Sequence, residues 1–191
     1  MRRQITGVYQ LKIVLTDVRP QVMRRVLVPE DIRLDALHGV LQAAMGWTDS
    51  HMHSFTFGER AFTTPYEEGA LEELRMEDER RVRLSALITT PKDTFRYEYD
   101  FGDDWQHLVT LEKILPAVPN TDYPVCLAGK RACPPEDCGG AWGYSGLLKV
   151  LRDPTNPEYK ETKTWVGRKF DPEQFDLEKT NKELRRLRSW V

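Results

Sequence analysis

Residues 95–107 constrain the fold more strongly than any other stretch of the sequence. Aromatic and charged side chains alternate through its first half, and successive residues of a β-strand point to opposite faces. One face of the predicted strand therefore carries the rings of Phe95, Tyr97, Tyr99 and Phe101. Gly102, Asp103 and Asp104 follow, and they favour a turn because Gly accepts positive φ and Asp can bond nearby backbone amides. The stretch predicts a β-hairpin.

The register of this hairpin decides which face carries its histidine. A three-residue loop places Phe101 opposite Trp105 and Tyr99 opposite His107, whereas a two-residue loop places Gln106 on the aromatic face. The first alternative matches apolar residues with the rings, so we expect His107 to lie on the aromatic face. A histidine there is most simply a core or rim residue that bonds Tyr99 or the backbone. A catalytic or ligand-binding role is the alternative.

Length and composition describe an ordinary globular protein. At 191 residues the chain is predicted to form a single domain, residues 1–191. The net charge of −2 supplies no bulk field that would attract nucleic acid or an anionic membrane, and no apolar run reaches membrane-spanning length. Three cysteines at irregular spacing suit a reducing compartment better than a disulfide framework, so we expect a cytoplasmic location.

Periodicity elsewhere in the chain predicts an α+β fold. Alternation over residues 9–15 and 22–28 indicates two strands. Apolar residues recur at helical spacing over residues 34–45, and Gly46 follows as a C-terminal cap. Apolar stripes beyond residue 146 indicate further helices. We therefore expect a mostly antiparallel sheet built from hairpins, one N-terminal helix packed on it and a helical C-terminal third.

Histidine and cysteine spacing gives only weak signals for metal binding. His51 and His53 alternate in a predicted strand, so both side chains can reach one ion, but the sequence assigns them no third ligand. His38 lies beside the helical apolar stripe and is predicted to be a packed, hydrogen-bonded side chain. We therefore assign no metal and leave any cofactor open. The cysteines lack the paired spacing of structural zinc sites and are predicted to be buried or free thiols: Cys126, Cys133 and Cys138.

The candidate site lies where the hairpin tip would meet a long loop. Residues 116–143 are rich in Pro and Gly and are predicted to form that loop, while the acidic residues 65–83 are predicted to be a solvated surface segment. If the loop folds over the tip, acidic and histidine side chains converge and could hold a divalent metal or do acid–base work. The structural alternative is that the carboxylates only satisfy turns and caps. The candidate binding residues are Asp100, Asp103, Asp104, Trp105, His107, Cys126, Arg131, Glu136 and Asp137.

Three motifs resemble one known family. Residues 99–107, residues 126–140 with their Cys-Pro-Pro-Glu-Asp-Cys-Gly-Gly string, and the pair Gly143-Tyr144 are similar to the plasmid pRiA-type ORF-three-like family. Some members of that family occur as passenger proteins of insertion elements. The resemblance covers nearly the whole chain. It implies an α+β fold, and it brings no established biochemical activity.

Two classes of function follow from these patterns. The first is a binding or interaction module associated with mobile genetic elements, in which the aromatic hairpin and the long loop form a concave surface for an unknown ligand or protein partner. A nucleic-acid version would use Arg24, Arg25 and the basic terminal helix, and the near-neutral charge gives it little support. The second class is a metal-dependent or acid–base enzyme that uses the cluster at the hairpin tip. The sequence indicates no membrane partner and does not specify the oligomeric state.

Overall fold

The computed structural model describes residues 6–67 and 69–187, so residues 1–5, 68 and 188–191 of the predicted domain lie outside the described ranges. The strands are β1 (Gly7–Leu15), β2 (Met23–Pro29), β3 (His53–Phe57), β4 (Arg60–Thr63), β5 (Glu77–Asp78), β6 (Thr94–Tyr99), β7 (Trp105–Pro116) and β8 (Val125–Lys130). The α-helices are α1 (Leu34–Met45), α2 (Ala70–Leu74), α3 (Gly140–Arg152), α4 (Tyr159–Trp165) and α5 (Leu177–Arg186).

The strands form one eight-stranded sheet in the order β5-β4-β3-β6-β7-β1-β2-β8. The pairs β1–β2, β3–β4 and β6–β7 are antiparallel hairpins, and β4–β5 is a parallel pair. The aromatic hairpin β6–β7 therefore lies in the middle of the sheet, between β3 and β1. This architecture confirms the predicted α+β class with a mostly antiparallel sheet built from hairpins.

Helix α1 packs on the sheet and joins the same hydrophobic core. Its end is the predicted one, because Gly46 takes a φ of 93° and its N–H donates to the Gln42 carbonyl. His38 and Gln42 also lie on the buried side of the helix. Polar groups in a core need hydrogen-bond partners, so these two residues require polar neighbours on the sheet. The buried apolar residues of the helix are Leu34, Leu37, Val40, Leu41, Ala44 and Met45.

The aromatic hairpin has the predicted faces but a different register. Tyr99 pairs with Trp105 and Tyr97 pairs with His107, whereas the predicted three-residue loop paired Tyr99 with His107. Phe101, predicted to join the aromatic face, lies in the loop and is 42% exposed. Because the register differs by two residues, the side-chain faces are unchanged, and Trp105 and His107 are buried on the aromatic side.

The loop of the hairpin spans residues 100–104 and turns on two aspartates. Asp100 and Asp104 take the left-handed conformation, with φ of 60° and 53°, which Asp tolerates better than most residues. Gly102 is not among the described glycines with positive φ, so the prediction that it supplies the left-handed turn is wrong. Its N–H instead donates to Oδ1 of Asp100 at 3.0 Å. The Asp100 side chain therefore organises the loop.

Residues 116–143, predicted to be one long loop, contain regular structure. Strand β8 pairs with β2 at the edge of the sheet, and α3 begins at Gly140 rather than after Gly146. The irregular part between them is residues 131–139, which we call the Pro–Gly segment. Helices α3, α4 and α5 confirm the helical C-terminal third. Within the described ranges, none of the helices has the length and apolar character needed to cross a bilayer.

The two arginines predicted to face nucleic acid are engaged within the fold. Arg24 is buried; its Nε donates to the carbonyl of Ala44 at 2.8 Å, and its guanidinium lies 4.4 Å from the centre of the Phe175 ring. Arg25 donates twice to Glu112, at 2.6 and 2.9 Å. That pairing lowers the pKa of Glu112 to about 2. The nucleic-acid version of the binding hypothesis therefore loses two of its proposed phosphate contacts.

Candidate functional site

The connection between α1 and β3, residues 46–52, contributes a side chain to each of two clusters of histidine and aspartate residues. It is held in place by Trp47, which is buried. Its Nε1 donates to the carbonyl of Pro134 at 3.1 Å, and its ring stacks on Tyr99 with centroids 4.9 Å apart. The connection is therefore fixed between the sheet and the Pro–Gly segment.

Two histidines from different elements stack on one another. His38 comes from α1 and His53 is the first residue of β3. Their ring centroids lie 3.5 Å apart and the rings are 8° from parallel. Both side chains are buried, and we call these two residues the histidine pair. A buried imidazole needs partners for its polar nitrogens, and the neighbouring elements supply them.

Both rings of the histidine pair contact carboxylates. Nε2 of His38 lies 2.8 Å from Oδ1 of Asp49, and its Nδ1 lies 2.8 Å from the hydroxyl of Tyr97. Nε2 of His53 lies 2.8 Å from Oε2 of Glu79. The orientation of each ring is therefore set by hydrogen bonds as well as by packing.

The hydroxyl of Tyr97 determines the tautomer of His38. Nε2 of Gln42 donates to this hydroxyl at 2.9 Å. Burial raises the pKa of Tyr97 well above its ordinary value, so the hydroxyl keeps its proton and donates it to Nδ1 of His38. A neutral His38 then carries its hydrogen on Nε2 and donates it to Asp49. The hydrogen bond with His38 lowers the pKa of Asp49, so Asp49 is a carboxylate.

His38, Asp49 and His53 have the spacing of a metal-binding group. Each offers one ligand atom, and these atoms all lie within 4.8 Å of one another. Bonds of about 2.0–2.2 Å place the ligand atoms of a tetrahedral ion roughly 3.3 Å apart. Because an ion lies near the plane of each imidazole that binds it, one of the two stacked rings would have to turn when the ion binds. The Asp49 side chain is 60% exposed. The group is therefore buried at its histidines and open to solvent at its carboxylate.

A second group, which we call the tip group, consists of His51, Asp100 and Asp137. Nε2 of His51 lies 3.1 Å from Oδ1 of Asp137 and 3.7 Å from Oδ2 of Asp100. The three residues also satisfy the 4.8 Å spacing. His51 and His53, predicted to share one strand face from which both could reach one ion, belong to different groups, because β3 begins at His53 and His51 precedes the strand.

Glu136 joins the Pro–Gly segment to the same end of the hairpin. Its Oε1 accepts from the Tyr99 hydroxyl at 2.6 Å and its Oε2 from the Thr48 hydroxyl at 2.5 Å. The backbone N–H of Ser50 donates to the Tyr99 hydroxyl at 3.0 Å. Burial raises the pKa of Glu136, but the hydrogen bonds from Thr48 and Tyr99 outweigh it, so the pKa lies below its ordinary value. Glu136 is therefore a carboxylate that ties three segments together.

Backbone contacts place the hairpin tip directly against the Pro–Gly segment. Oδ2 of Asp103 accepts from the N–H of Gly139 at 3.2 Å, and a Cβ on Gly140 would lie 2.4 Å from the Asp103 carbonyl oxygen. Asp104 instead accepts from Nε2 of Gln106 at 2.5 Å. The tip and the segment meet as the sequence predicted, with Asp100 and Asp137 at the meeting point and Asp104 turned to its own strand.

The other predicted site residues belong to neither group. Trp105 and His107 are fully buried, and burial lowers the pKa of His107 to about 4. Nδ1 of His107 lies 3.1 Å from a backbone carbonyl of β6. Cys126 lies on β8, where burial raises the pKa of its thiol, and Arg131 pairs with Glu173. His107 is therefore a core histidine bonded to the backbone, which was the simpler of its two predicted roles.

Sequence reasoning missed the residues that support the histidine pair. Glu79 lies in the acidic stretch predicted to be solvated, yet it is 1% exposed and accepts from the Thr64 hydroxyl at 2.5 Å. The prediction is therefore wrong at this residue, and no local pattern distinguishes Glu79 from its acidic neighbours. One signal was readable: His38 and Gln42 are four residues apart in the helix and share one face with its apolar stripe, which indicates a buried polar network.

Comparisons with known proteins are consistent with this fold. The family described as plasmid pRiA4b ORF-3-like protein matches residues 7–179. The uncharacterized protein y4hQ of Sinorhizobium fredii is 43% identical over 182 residues, which cover 94% of this chain and 92% of that protein. The crystal structure of a protein of unknown function, MM3350 from Methanosarcina mazei Go1, matches with a TM-score of 0.83 and 39% identity, covering 92% of this chain and 98% of that chain. The names of these relatives state no activity, so function must be argued from the site.

Proposed function

The chain belongs to the plasmid pRiA4b ORF-3-like family, and from its own side-chain geometry we propose that it is a binding module that holds a divalent transition-metal ion at the histidine pair. His38, Asp49 and His53 are the proposed ligands. The observation that carries this proposal is the convergence of two buried histidines from separate elements and one carboxylate, whose ligand atoms all lie within 4.8 Å of one another. The plasmid in the family description supports an association with mobile genetic elements.

The donor set supports a borderline metal ion such as Zn²⁺. Imidazole nitrogen suits Zn, Cu, Fe and Ni, whereas Mg²⁺ and Ca²⁺ prefer sites made only of oxygen. Three protein ligands leave at least one coordination position for water or a ligand. Because Asp49 is the exposed member of the group, the proposed open position lies on the solvent side.

The surrounding hydrogen bonds also support a metal site. Histidine ligands commonly bond a second group through the other ring nitrogen, and this partner fixes the ring orientation. Tyr97 contacts Nδ1 of His38 and leaves Nε2 for the ion. Glu79 contacts Nε2 of His53, so in this ring Nδ1 is the nitrogen left for the ion. In this proposal the ion lies between His38 and Asp49, and the hydrogen of the His38 ring moves from Nε2 to Nδ1, where the Tyr97 oxygen accepts it.

We test the proposal by measuring bound metal. Purified protein is loaded with Zn²⁺, dialysed, and analysed by elemental mass spectrometry. Wild type is expected to retain one equivalent more than His53→Gln or His38→Gln, because each substitution removes one of three ligands. His107→Gln is the matched control, since it removes a buried histidine outside the group and is expected to retain the wild-type amount. Equal zinc in wild type and in both ligand variants would contradict the proposal.

A metal-dependent enzyme is the second candidate, favoured by the solvent-exposed carboxylate of the group. A bound ion with an open position can polarise a carbonyl or phosphoryl oxygen. The zinc-loaded protein is therefore assayed for hydrolysis of p-nitrophenyl phosphate and p-nitrophenyl acetate. Turnover that is lost in His53→Gln and kept in His107→Gln would support the enzyme. Metal retention without turnover of either compound would favour the binding module.

A further inference from the structure

We propose that the tip group is a second cation site, separate from the histidine pair, and that it takes a harder divalent cation such as Mn²⁺. Its ligands would be Nε2 of His51 and one carboxylate oxygen each from Asp100 and Asp137. Carboxylate oxygens suit Mn²⁺ and Mg²⁺ better than nitrogen does, and a single imidazole is compatible with Mn²⁺. This proposal is independent of metal binding at the histidine pair.

The first observation is an orphaned nitrogen. Nε2 of His51 is shielded from solvent, and among the described residues it has no hydrogen-bond partner. Two carboxylate oxygens nevertheless lie close, at 3.1 Å from Asp137 and 3.7 Å from Asp100. The Asp100 oxygen lies beyond hydrogen-bond distance, and the Asp137 oxygen, although close enough, forms no hydrogen bond with the nitrogen. A shielded nitrogen that has no hydrogen-bond partner and lies beside two carboxylates is a candidate ligand to a shared cation.

The second observation is that the two carboxylate oxygens of Asp100 have different partners. Its Oδ1 accepts from the backbone N–H groups of Gly102 and Asp103, at 3.0 and 3.3 Å. Its Oδ2 is the oxygen that faces His51. The hairpin loop therefore fixes the carboxylate in one orientation and leaves one oxygen directed to the group. A preorganised carboxylate binds a cation with a smaller loss of side-chain entropy.

The third observation is that the segments carrying the ligands are tied together independently of the tip group. Asp137 lies between Glu136, which accepts from Thr48 and Tyr99, and Gly139, which donates to Asp103. These contacts hold the Pro–Gly segment against both the hairpin tip and the α1–β3 connection. The chain segments that carry the ligands are therefore held together without a cation.

Exposure places the proposed site at the surface. The side chain of Asp137 is 74% exposed and that of His51 is 29% exposed, whereas that of Asp100 is 11% exposed. A cation could enter from the Asp137 side without opening the core. The remaining coordination positions would face solvent, so this site is expected to exchange its ion more readily than the buried histidine pair.

The experiment is a Mn²⁺ titration followed by the electron paramagnetic resonance signal of free Mn²⁺. It is done in His53→Gln, so that the histidine pair does not contribute, and in wild type. Both proteins are expected to remove Mn²⁺ from solution. Asp137→Asn, introduced into either protein, is expected to weaken Mn²⁺ binding at least tenfold, because a carboxylate ligand becomes a neutral amide. Because the Asp137 side chain is exposed, this substitution is expected to leave the fold intact.

Asp104→Asn is the matched control, because Asp104 lies in the hairpin loop beside the tip group and takes a positive φ as Asp137 does, but its carboxylate is outside the group. It is expected to bind Mn²⁺ as its parent does. Equal weakening by Asp104→Asn and Asp137→Asn would show a general charge effect and overturn the proposal, as would the lack of Mn²⁺ binding in wild type. If His53→Gln loses zinc but keeps Mn²⁺, both proposals stand. If Mn²⁺ binding fails while zinc retention holds, only the tip site is lost.

Discussion

Tyr97 is the residue that connects the aromatic face of the hairpin to the histidine pair. Its ring contributes to the core, and its hydroxyl accepts from Gln42 while it donates to His38. Both functions require its place on β6 opposite His107. The sequence predicted that Tyr97 points inward, because alternation in a strand fixes the face. It did not predict the polar partners, because His38 and Gln42 come from a helix whose position depends on tertiary packing.

Because His107 is buried, it is expected to make the stability of the protein depend on pH. Burial lowers its pKa to about 4, against about 6.5 in an unfolded chain. Between these values the unfolded state binds a proton that the folded state does not, so the free energy of unfolding falls as pH falls from about 6.5 to 4. This loss of unfolding free energy reaches on the order of 3 kcal/mol. It is absent above about pH 6.5 and stays constant below about pH 4.

The measurement is urea unfolding of wild type and His107→Gln at pH 7 and pH 4. Gln is uncharged and can still donate to the backbone carbonyl that His107 contacts. Wild type is expected to lose more stability than the variant between the two pH values. An equal loss in both proteins would mean that His107 is not the neutral, buried group described here.

At the scale of elements, the hairpin tip and the Pro–Gly segment form the joint on which the tip group depends. The sequence raised their contact as the condition for a candidate site, and the structure contains this contact. It did not predict the register, because Asp100 and Asp104 both take left-handed conformations that lengthen the loop by two residues. Such choices are set by hydrogen bonds within the folded loop, and Asp is compatible with either turn.

Gly140 tests this joint. It takes a φ of 65°, and a Cβ there would lie 2.4 Å from the Asp103 carbonyl oxygen. Gly140→Ala is therefore expected to destabilise the protein by on the order of 2 kcal/mol and to displace the Pro–Gly segment from the tip. Urea unfolding measures the first effect, and Mn²⁺ titration measures the second as weaker binding.

Gly146→Ala is the control for this substitution, because it lies in the same helix and a Cβ there would have no neighbour within 4 Å. Ala is the better helix former, so this variant is expected to be more stable by about 0.5–1 kcal/mol. If Gly140→Ala were as stable as Gly146→Ala, the close approach of α3 to the hairpin tip would be wrong.

At the scale of the whole molecule, three separate parts of the chain converge at one end of the central hairpin. Helix α1 supplies His38, the α1–β3 connection supplies Asp49 and His51, and the Pro–Gly segment supplies Asp137. The sequence predicted the sheet and the packed helix, since these follow from local periodicity and turn residues, and it raised the meeting of tip and segment only as a condition for the candidate site. It did not predict the pairing of His38 with His53, because that contact depends on how the helix lies across the sheet.

Metal binding at the histidine pair can be seen in the visible absorption of the protein titrated with Co²⁺, since Co²⁺ substitutes for zinc and reports ligand geometry. Wild type and His107→Gln are both expected to show the strong absorption of low-symmetry, four- or five-coordinate Co²⁺, which saturates at one equivalent. The same absorption is expected to be missing in His38→Gln and His53→Gln. If wild type gives only the weak absorption of hexa-aqua Co²⁺, or if the histidine variants keep the strong absorption, the histidine pair is not a metal centre.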